Sequence, residues 1–105
     1  MRNLTNQQGD VLFFRIDELP PNAKCKTEKQ RAVLKEGEHT GHAHVTEDEV
    51  TTYVDNYGNL YVEADKPFTV THEEHHEQVI EAGIYEVQIV REYDYDEEEI
   101  RRVQD

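Results

Sequence analysis

The sequence V-T-T-Y-V-D-N-Y-G-N-L-Y-V-E-A, residues 50–64, decides the fold class because it contains two alternating runs joined by a turn. Apolar or β-branched side chains recur at every second position from Val50 to Val54, and again from Leu60 to Ala64. The intervening D-N-Y-G-N contains the Asn and Gly residues that favour tight turns. Residues 50–64 are therefore predicted to form a β-hairpin.

The segments on either side of this hairpin also favour strands. Residues 11–16, V-L-F-F-R-I, are apolar on both faces, which is typical of a central strand, while 68–72 and 84–91 alternate. No segment has a sustained 3.6-residue apolar period, and turn residues recur about every 8 to 12 positions. The sequence predicts an all-β fold, a small single-domain β-sandwich or barrel.

The boundaries of that domain follow from composition. Residues 1–8 are polar and are expected to be a flexible N-terminus, followed by a β domain over residues 9–91. Residues 92–99 contain six acids, so residues 92–105 are expected to form an acidic C-terminal arm or a last strand. A chain of 105 residues can bury a single modest core.

The formal net charge of −13 is unevenly distributed. Residues 1–49 carry seven Lys and Arg against nine Asp and Glu, whereas residues 50–105 carry four against fifteen. This balance argues against direct binding to duplex nucleic acid or to an anionic membrane, because such binding depends on clustered cations. Two interpretations are open: the charge maintains solubility, or it mimics a nucleic acid or docks on a basic protein partner.

Cysteine usage and hydropathy indicate the compartment. Cys25 is the single cysteine, so no internal disulfide can form, as in proteins of a reducing compartment. No stretch approaches the roughly 20 apolar residues of a membrane span, and the first residues lack the apolar centre of a signal peptide. We expect a cytoplasmic protein.

All six histidines fall in two clusters, G-E-H-T-G-H-A-H at residues 37–44 and T-H-E-E-H-H at residues 71–76. In a strand, an H-x-H pair presents both imidazoles on one side. The second cluster could supply further nitrogens and a nearby glutamate an oxygen, a donor set that suits zinc, iron, manganese, nickel or copper. The candidate ligands of this divalent transition metal are His42, His44, His72, His75 and Glu47.

Two other interpretations of the histidines remain open. If Ala43 and Val45 face the core, His42 and His44 face solvent or a subunit interface. His72 shares its face with the apolar residues of 68–70, so it could instead be a buried, hydrogen-bonded core histidine.

The motifs G-E-H-T-G-H-A-H-V-T-E and P-F-T-V-T-H resemble the two histidine motifs of the cupins, which are small double-sheet barrels. The resemblance covers part of the chain and implies a cupin-like fold. It also implies metal ligands at His42, His44, His72 and either Glu47 or Glu49.

A second resemblance spans most of the chain. The strings Q-G-D-V-L, T-G-H-A-H, T-H-E-E-H, G-I-Y-E-V and R-R-V-x-D are similar to an uncharacterised family of short bacterial and phage-encoded proteins. This resemblance implies no activity. It implies a cytoplasmic setting, which is the host cytoplasm where the protein is phage-encoded.

These observations favour a binding module over an enzyme. The chain contains no serine, Cys25 is distant in sequence from every histidine, and no glycine-rich phosphate loop is present. The first hypothesis is a small β domain whose histidine-rich site binds a divalent metal. The alternative is a phage or bacterial structural or interaction protein, an acidic mimic or accessory protein with interfacial histidines. We also expect a homo-oligomer in which the basic segment 24–35 meets acidic residues.

Overall fold

The computed structural model describes residues 3–36 and 42–90, and this part of the chain consists of strands, turns and loops. It contains no helix that is long and apolar enough to cross a bilayer. The strands are β1 (Asn3–Gln8), β2 (Val11–Ile16), β3 (Lys24–Gln30), β4 (Val33–Glu36), β5 (Ala43–Thr46), β6 (Val50–Val54), β7 (Leu60–Ala64), β8 (Phe68–Thr71), β9 (Gln78–Ile80) and β10 (Gly83–Ile89).

The ten strands form two antiparallel sheets. One has six strands in the order β1-β2-β10-β7-β6-β3, and the other has four in the order β4-β5-β8-β9. All eight strand pairs are antiparallel. The predicted all-β, β-sandwich class is therefore confirmed.

The predicted hairpin is formed by β6 and β7, with Val54 paired to Leu60 and Thr51 to Glu63. The Asp55 carboxylate holds the turn by accepting hydrogen bonds from the backbone N–H groups of Tyr57 and Asn59, both at 2.9 Å. Local sequence thus determines this element, because strands and turn residues are adjacent in the chain.

The hydrophobic core lies between the two sheets. Phe68 of the four-stranded sheet meets Tyr85 of the six-stranded sheet edge-on, with ring centroids 6.0 Å apart and planes at 72°. Val11 and Phe13 of β2 are fully buried, whereas Leu12 and Phe14 are half-buried. The remaining buried apolar side chains are Ala32, Leu34, Val50, Tyr61, Val62, Ala64, Val70, Ile80 and Val87.

The N-terminal segment differs from the expectation of a flexible region, since residues 3–8 form β1 on the edge of the six-stranded sheet. The polar composition of residues 3–8 gave no apolar alternation from which a strand could be predicted. β1 pairs with β2 through the backbone, and its last residue, Gln8, is 1% exposed. The expected arm at 92–105 and the glycine-flanked segment 37–41 lie outside the described residues.

Within the described part of the chain, each sheet edge is irregular or short. The ladders of β1, β3 and β4 contain register shifts, and β9 has three residues. In β3, Lys29 takes a positive φ of 48°, and Lys24 and Lys26 are exposed. Bulges, short strands and lysines are the devices by which sheet edges avoid pairing with other chains.

Candidate functional site

Histidines from both clusters meet at one end of the sandwich, where β5 begins and β8 ends. His44 of β5 is 3% exposed and faces inward with Thr46, while Ala43 and Val45 are half-buried. The alternation of β5 therefore places the histidine, and not its apolar neighbours, inside. His72, which follows β8, continues the inward face of Phe68 and Val70.

Gln8 fixes the orientation of His44. The Gln8 side-chain nitrogen donates to the backbone carbonyls of Val70 and His76, both at 2.9 Å. The side-chain oxygen of Gln8 is thereby directed at Nδ1 of His44, 2.8 Å away. Because this oxygen can only accept, Nδ1 carries the hydrogen and Nε2 of the neutral ring keeps its lone pair.

The other imidazoles surround His44. The ring centroid of His72 is 4.3 Å from that of His44, and the His75 centroid is 4.6 Å from His72 and 5.9 Å from His44. His42 lies 5.9 Å from His72. Two histidines that share a metal ion have their ligand nitrogens no farther apart than about twice the metal–nitrogen bond of about 2.1 Å. Side chains more than about 8 Å apart therefore cannot share an ion, and the His44 and His72 rings lie well inside that limit.

Gly9 makes room for His75. It adopts a φ of 59° in the turn between β1 and β2, and a Cβ at this position would collide with the His75 ring. Only glycine provides both the left-handed backbone and the empty space. The turn and the segment after β8 are therefore in direct contact.

Asp10 and Lys35 add charge beside His44. One carboxylate oxygen of Asp10 lies 3.5 Å from His44 Nε2, and the other forms an ion pair with the Lys35 ammonium group. Lys35 reaches this position because it is the register partner of His44 across β4 and β5. The backbone of Asp10 is also held in place, because the Val90 N–H donates a hydrogen bond to the Asp10 carbonyl oxygen at 2.8 Å.

The surroundings keep the inner histidines neutral. Burial is the main cause that lowers the pKa of His44 to about 4, and the His72 ring lowers it further while Asp10 opposes the change. Burial, followed by the charges of His75 and His42, lowers the pKa of His72. Neutral imidazole is the form that donates a lone pair to a metal ion.

Glu47 is separated from the histidines. Its carboxylate accepts hydrogen bonds from Arg31 at 3.1 Å and from the Thr71 hydroxyl at 3.2 Å. Thr71 is the cross-strand partner of Val45, so this group lies on the outer face of the four-stranded sheet, opposite His44. The structure thus brings together His42, His44, His72 and His75, and does not bring Glu47 to them.

The described residues hold no group of three His, Cys, Asp or Glu side chains already arranged to bind a metal ion. Two of the rings have other polar contacts. Nδ1 of His72 accepts from the Glu74 N–H at 3.0 Å. The two ring nitrogens of His42 face the carboxylates of Glu73 and Glu74, at 3.0 and 3.4 Å. Coordination of an ion through His72 Nδ1 or through His42 would require these contacts to break.

No motif of the sequence pointed to Gln8, Gly9, Asp10 or Lys35 as part of the site. The string Q-G-D at residues 8–10 was a usable signal for a turn, but nothing in it pointed to a histidine 36 residues away. A cleft of about 800 Å³ lies among residues 29–31, 47–51 and 63–67. Its lining mixes basic and acidic side chains, so it favours no single class of ligand.

The comparisons with known proteins identify a family for this chain but assign no reaction to it. A family described as a domain of unknown function, DUF8820, matches residues 7–90, which include the sandwich from the end of β1 and the histidine group. No curated protein and no solved structure matches the chain at a significant level. On the match over residues 7–90, the chain belongs to the DUF8820 family.

Proposed function

We propose that this domain is a binding module that takes up one divalent transition-metal ion between His42, His44, His72 and His75. The observation that carries the proposal is the hydrogen-bond chain through Gln8. It holds a buried, neutral His44 whose Nε2 keeps its lone pair and lies 3.5 Å from an Asp10 carboxylate oxygen. Metal-binding histidines commonly have their second ring nitrogen oriented in this way by a neighbouring acceptor.

The donor set limits the kind of ion. Imidazole nitrogen suits zinc, nickel, copper, iron and manganese better than calcium or magnesium, which prefer oxygen ligands. Rotation of His72 away from the Glu74 N–H would release its Nδ1, and His42 would leave the carboxylates of Glu73 and Glu74. These are exposed or half-buried groups, so the rearrangement costs little packing.

The resemblance to the cupins supports the same arrangement, since an H-x-H pair and a histidine from a distant strand meet here as in those proteins' motifs. A single exposed cysteine, Cys25, is compatible with a reducing cytoplasm of a bacterial cell or of a phage host. We infer a metal-binding role; covalent catalysis by a serine or cysteine is disfavoured, because neither lies beside the described histidines.

The test is a metal titration of protein purified without a histidine tag. Zn²⁺ should bind with one-to-one stoichiometry and a Kd of about 1 μM or tighter in isothermal titration calorimetry, while Mg²⁺ should give no heat. His44→Ala and His72→Ala should each weaken binding by about 100-fold. His76→Ala is the matched control, because the His76 side chain is exposed and its role in the network is through the backbone carbonyl.

Combined replacements provide a further check. His42→Ala with His72→Ala should cost less than the sum of the single effects, because the first loss already disables a shared site. Small and additive effects, or a Kd weaker than about 1 mM for the unmodified protein, would contradict the proposal.

A second candidate function is supported by the outer face of the four-stranded sheet. Val33 and Val79 are 49% and 63% exposed there; Val33 is the cross-strand partner of Val45, and Val79 is the partner of Thr69. Exposed β-branched side chains on a sheet face are suited to a protein partner. The net charge of −13 would favour a basic partner or a role as a nucleic-acid mimic. Metal-free protein that binds a basic partner would support this alternative.

A further inference from the structure

The ion pair between Lys35 and Asp10 is placed where it could control metal binding. Asp10 sits in the turn between β1 and β2, and its backbone is held by the Val90 N–H. Lys35 extends from β4 on the same side as its register partner His44. The two charged side chains are 25% and 35% exposed, so water screens their attraction only in part.

The free carboxylate oxygen of Asp10 is spaced from His44 as a second ligand would be. It lies 3.5 Å from the Nε2 atom that carries the His44 lone pair. Two ligand atoms of a tetrahedral ion with bonds of about 2.1 Å are about 3.4 Å apart. The pair Asp10 and His44 therefore already has the separation of adjacent ligands, before any other side chain moves.

We propose that Asp10 is a ligand of the histidine site and that Lys35 competes with the metal ion for it. Without metal, the ammonium group of Lys35 balances the carboxylate beside a neutral imidazole. A divalent ion that binds to His44 and Asp10 must share the carboxylate with this cation. Lys35 thereby sets the affinity of the site and the threshold of free metal at which it fills.

This inference rests on the proposed function, but it predicts a result that metal binding alone does not. A lysine that merely supports the fold would weaken metal binding when removed, because Asp10 would lose its position. A competing lysine has the opposite effect, since its removal leaves the carboxylate to the ion.

The experiment measures Zn²⁺ affinity by calorimetry in the full chain and in Lys35→Met, which keeps most of the apolar stem. Lys35→Met should bind Zn²⁺ about tenfold more tightly, and Asp10→Asn about tenfold more weakly. Lys35→Met should have no effect when Asp10→Asn is already present, because the contested group is gone. Lys35→Arg keeps the charge and should resemble the unmodified protein.

Lys24→Met is the matched control, because Lys24 is exposed on β3 and its loss changes the net charge equally. The inference is overturned if Lys35→Met binds equally or more weakly, if Lys24→Met tightens binding to the same extent, or if Lys35→Met still tightens binding beside Asp10→Asn. Circular dichroism checks folding, and Lys35→Gln replaces the methionine variant if that variant does not fold. Zn²⁺ binding that depends on His44 but is indifferent to Lys35 defeats this inference alone, whereas absence of binding in all variants defeats the proposed function with it.

Discussion

At the scale of single residues, a polar side chain organises the interior. Gln8 is buried and uses both ends of its amide, two hydrogen bonds from nitrogen and one contact from oxygen. A buried network of this kind stabilises a structure only while every member has its partner. Its removal therefore affects the fold as well as the site.

Gln8→Ala is expected to lower the free energy of unfolding by about 2 kcal/mol, because it leaves the Nδ1–H of His44 and two carbonyls without their partner. Urea denaturation followed by circular dichroism measures this change. Gln7→Ala is the control, since the exposed Gln7 side chain donates to the nearby Gly9 carbonyl. The control should change stability by less than about 0.5 kcal/mol. Equal losses in both variants would show that the Gln8 network has no special role.

The metal-free protein should lose stability as the pH falls from about 6.5 to about 4. The folded-state pKa of His44 is about 4, below its ordinary value of 6.5, so the unfolded chain binds the proton more tightly. The contribution is fully present above pH 6.5 and is lost on acidification, with a magnitude on the order of 3 kcal/mol. Urea denaturation at pH 7.5, 5.5 and 4.5 measures it. His44→Gln should flatten the dependence in this window, and an unchanged slope would contradict the assignment.

At the scale of elements, strands that local sequence determines could be predicted, and strands that depend on contacts distant in sequence could not. The hairpin of β6 and β7 was predictable because Asp55 and Gly58 set its turn within five residues of both strands. β1 and β9 were not predicted, because the first is polar and the second has three residues. Each is held by a neighbouring strand that sequence order does not reveal.

The candidate site could likewise be predicted only where it depends on local sequence patterns. The clustering of histidines singled out four side chains that the fold brings together, and the H-x-H spacing singled out His42 and His44, which both lie against His72. Apolar alternation in β5 suggested the wrong face, because a buried His44 requires a partner from β1. Partners such as Gln8, Asp10 and Lys35 come from other elements, so no local pattern identifies them.

Gly9 and Gly58 both have a left-handed backbone, but only Gly9 lies beside a histidine of the candidate site. Substitutions at these two positions therefore separate an effect on stability from an effect on metal binding. Gly9→Ala and Gly58→Ala should each cost about 1 kcal/mol of stability, because both glycines have positive φ. An added Cβ at Gly58 meets open space, whereas at Gly9 it displaces the His75 ring. Gly9→Ala should therefore weaken Zn²⁺ binding severalfold, and Gly58→Ala should leave it unchanged. Equal affinities in calorimetry would remove His75 from the set of ligands.

At the scale of the whole molecule, the core of the described residues lies between the two sheets and is built from side chains between Val11 and Val87. Two sheets cover the buried side chains, and the last backbone contact described is that of Val90 with Asp10. Truncation after Arg91 is therefore expected to leave the thermal midpoint within about 2 °C of the full chain. Differential scanning calorimetry provides the measurement. A drop of several degrees would show that Ile100 or Val103 contributes to the packed domain.

We expect a homo-oligomer, and the sheet edges limit how two copies can associate. Bulged or short edges disfavour association by strand addition, so pairing would have to use charge or a sheet face. If the basic segment 24–35 meets acidic residues of a second copy, light scattering should give a dimer mass that falls with added salt. Lys24→Glu with Lys26→Glu should have the same effect as salt. A monomer mass at low and moderate salt would contradict the expectation.

The Gln8 network also sets an order of events during protein synthesis. The two carbonyls that hold Gln8 belong to residues 62 and 68 positions later. At about 5 to 20 residues per second, the ribosome adds the second of them roughly 3 to 14 seconds after Gln8. Until then His44 has no fixed tautomer, and the second histidine cluster is missing. The proposed metal site therefore has its full set of histidines and a complete Gln8 network only after residue 76 has been synthesised.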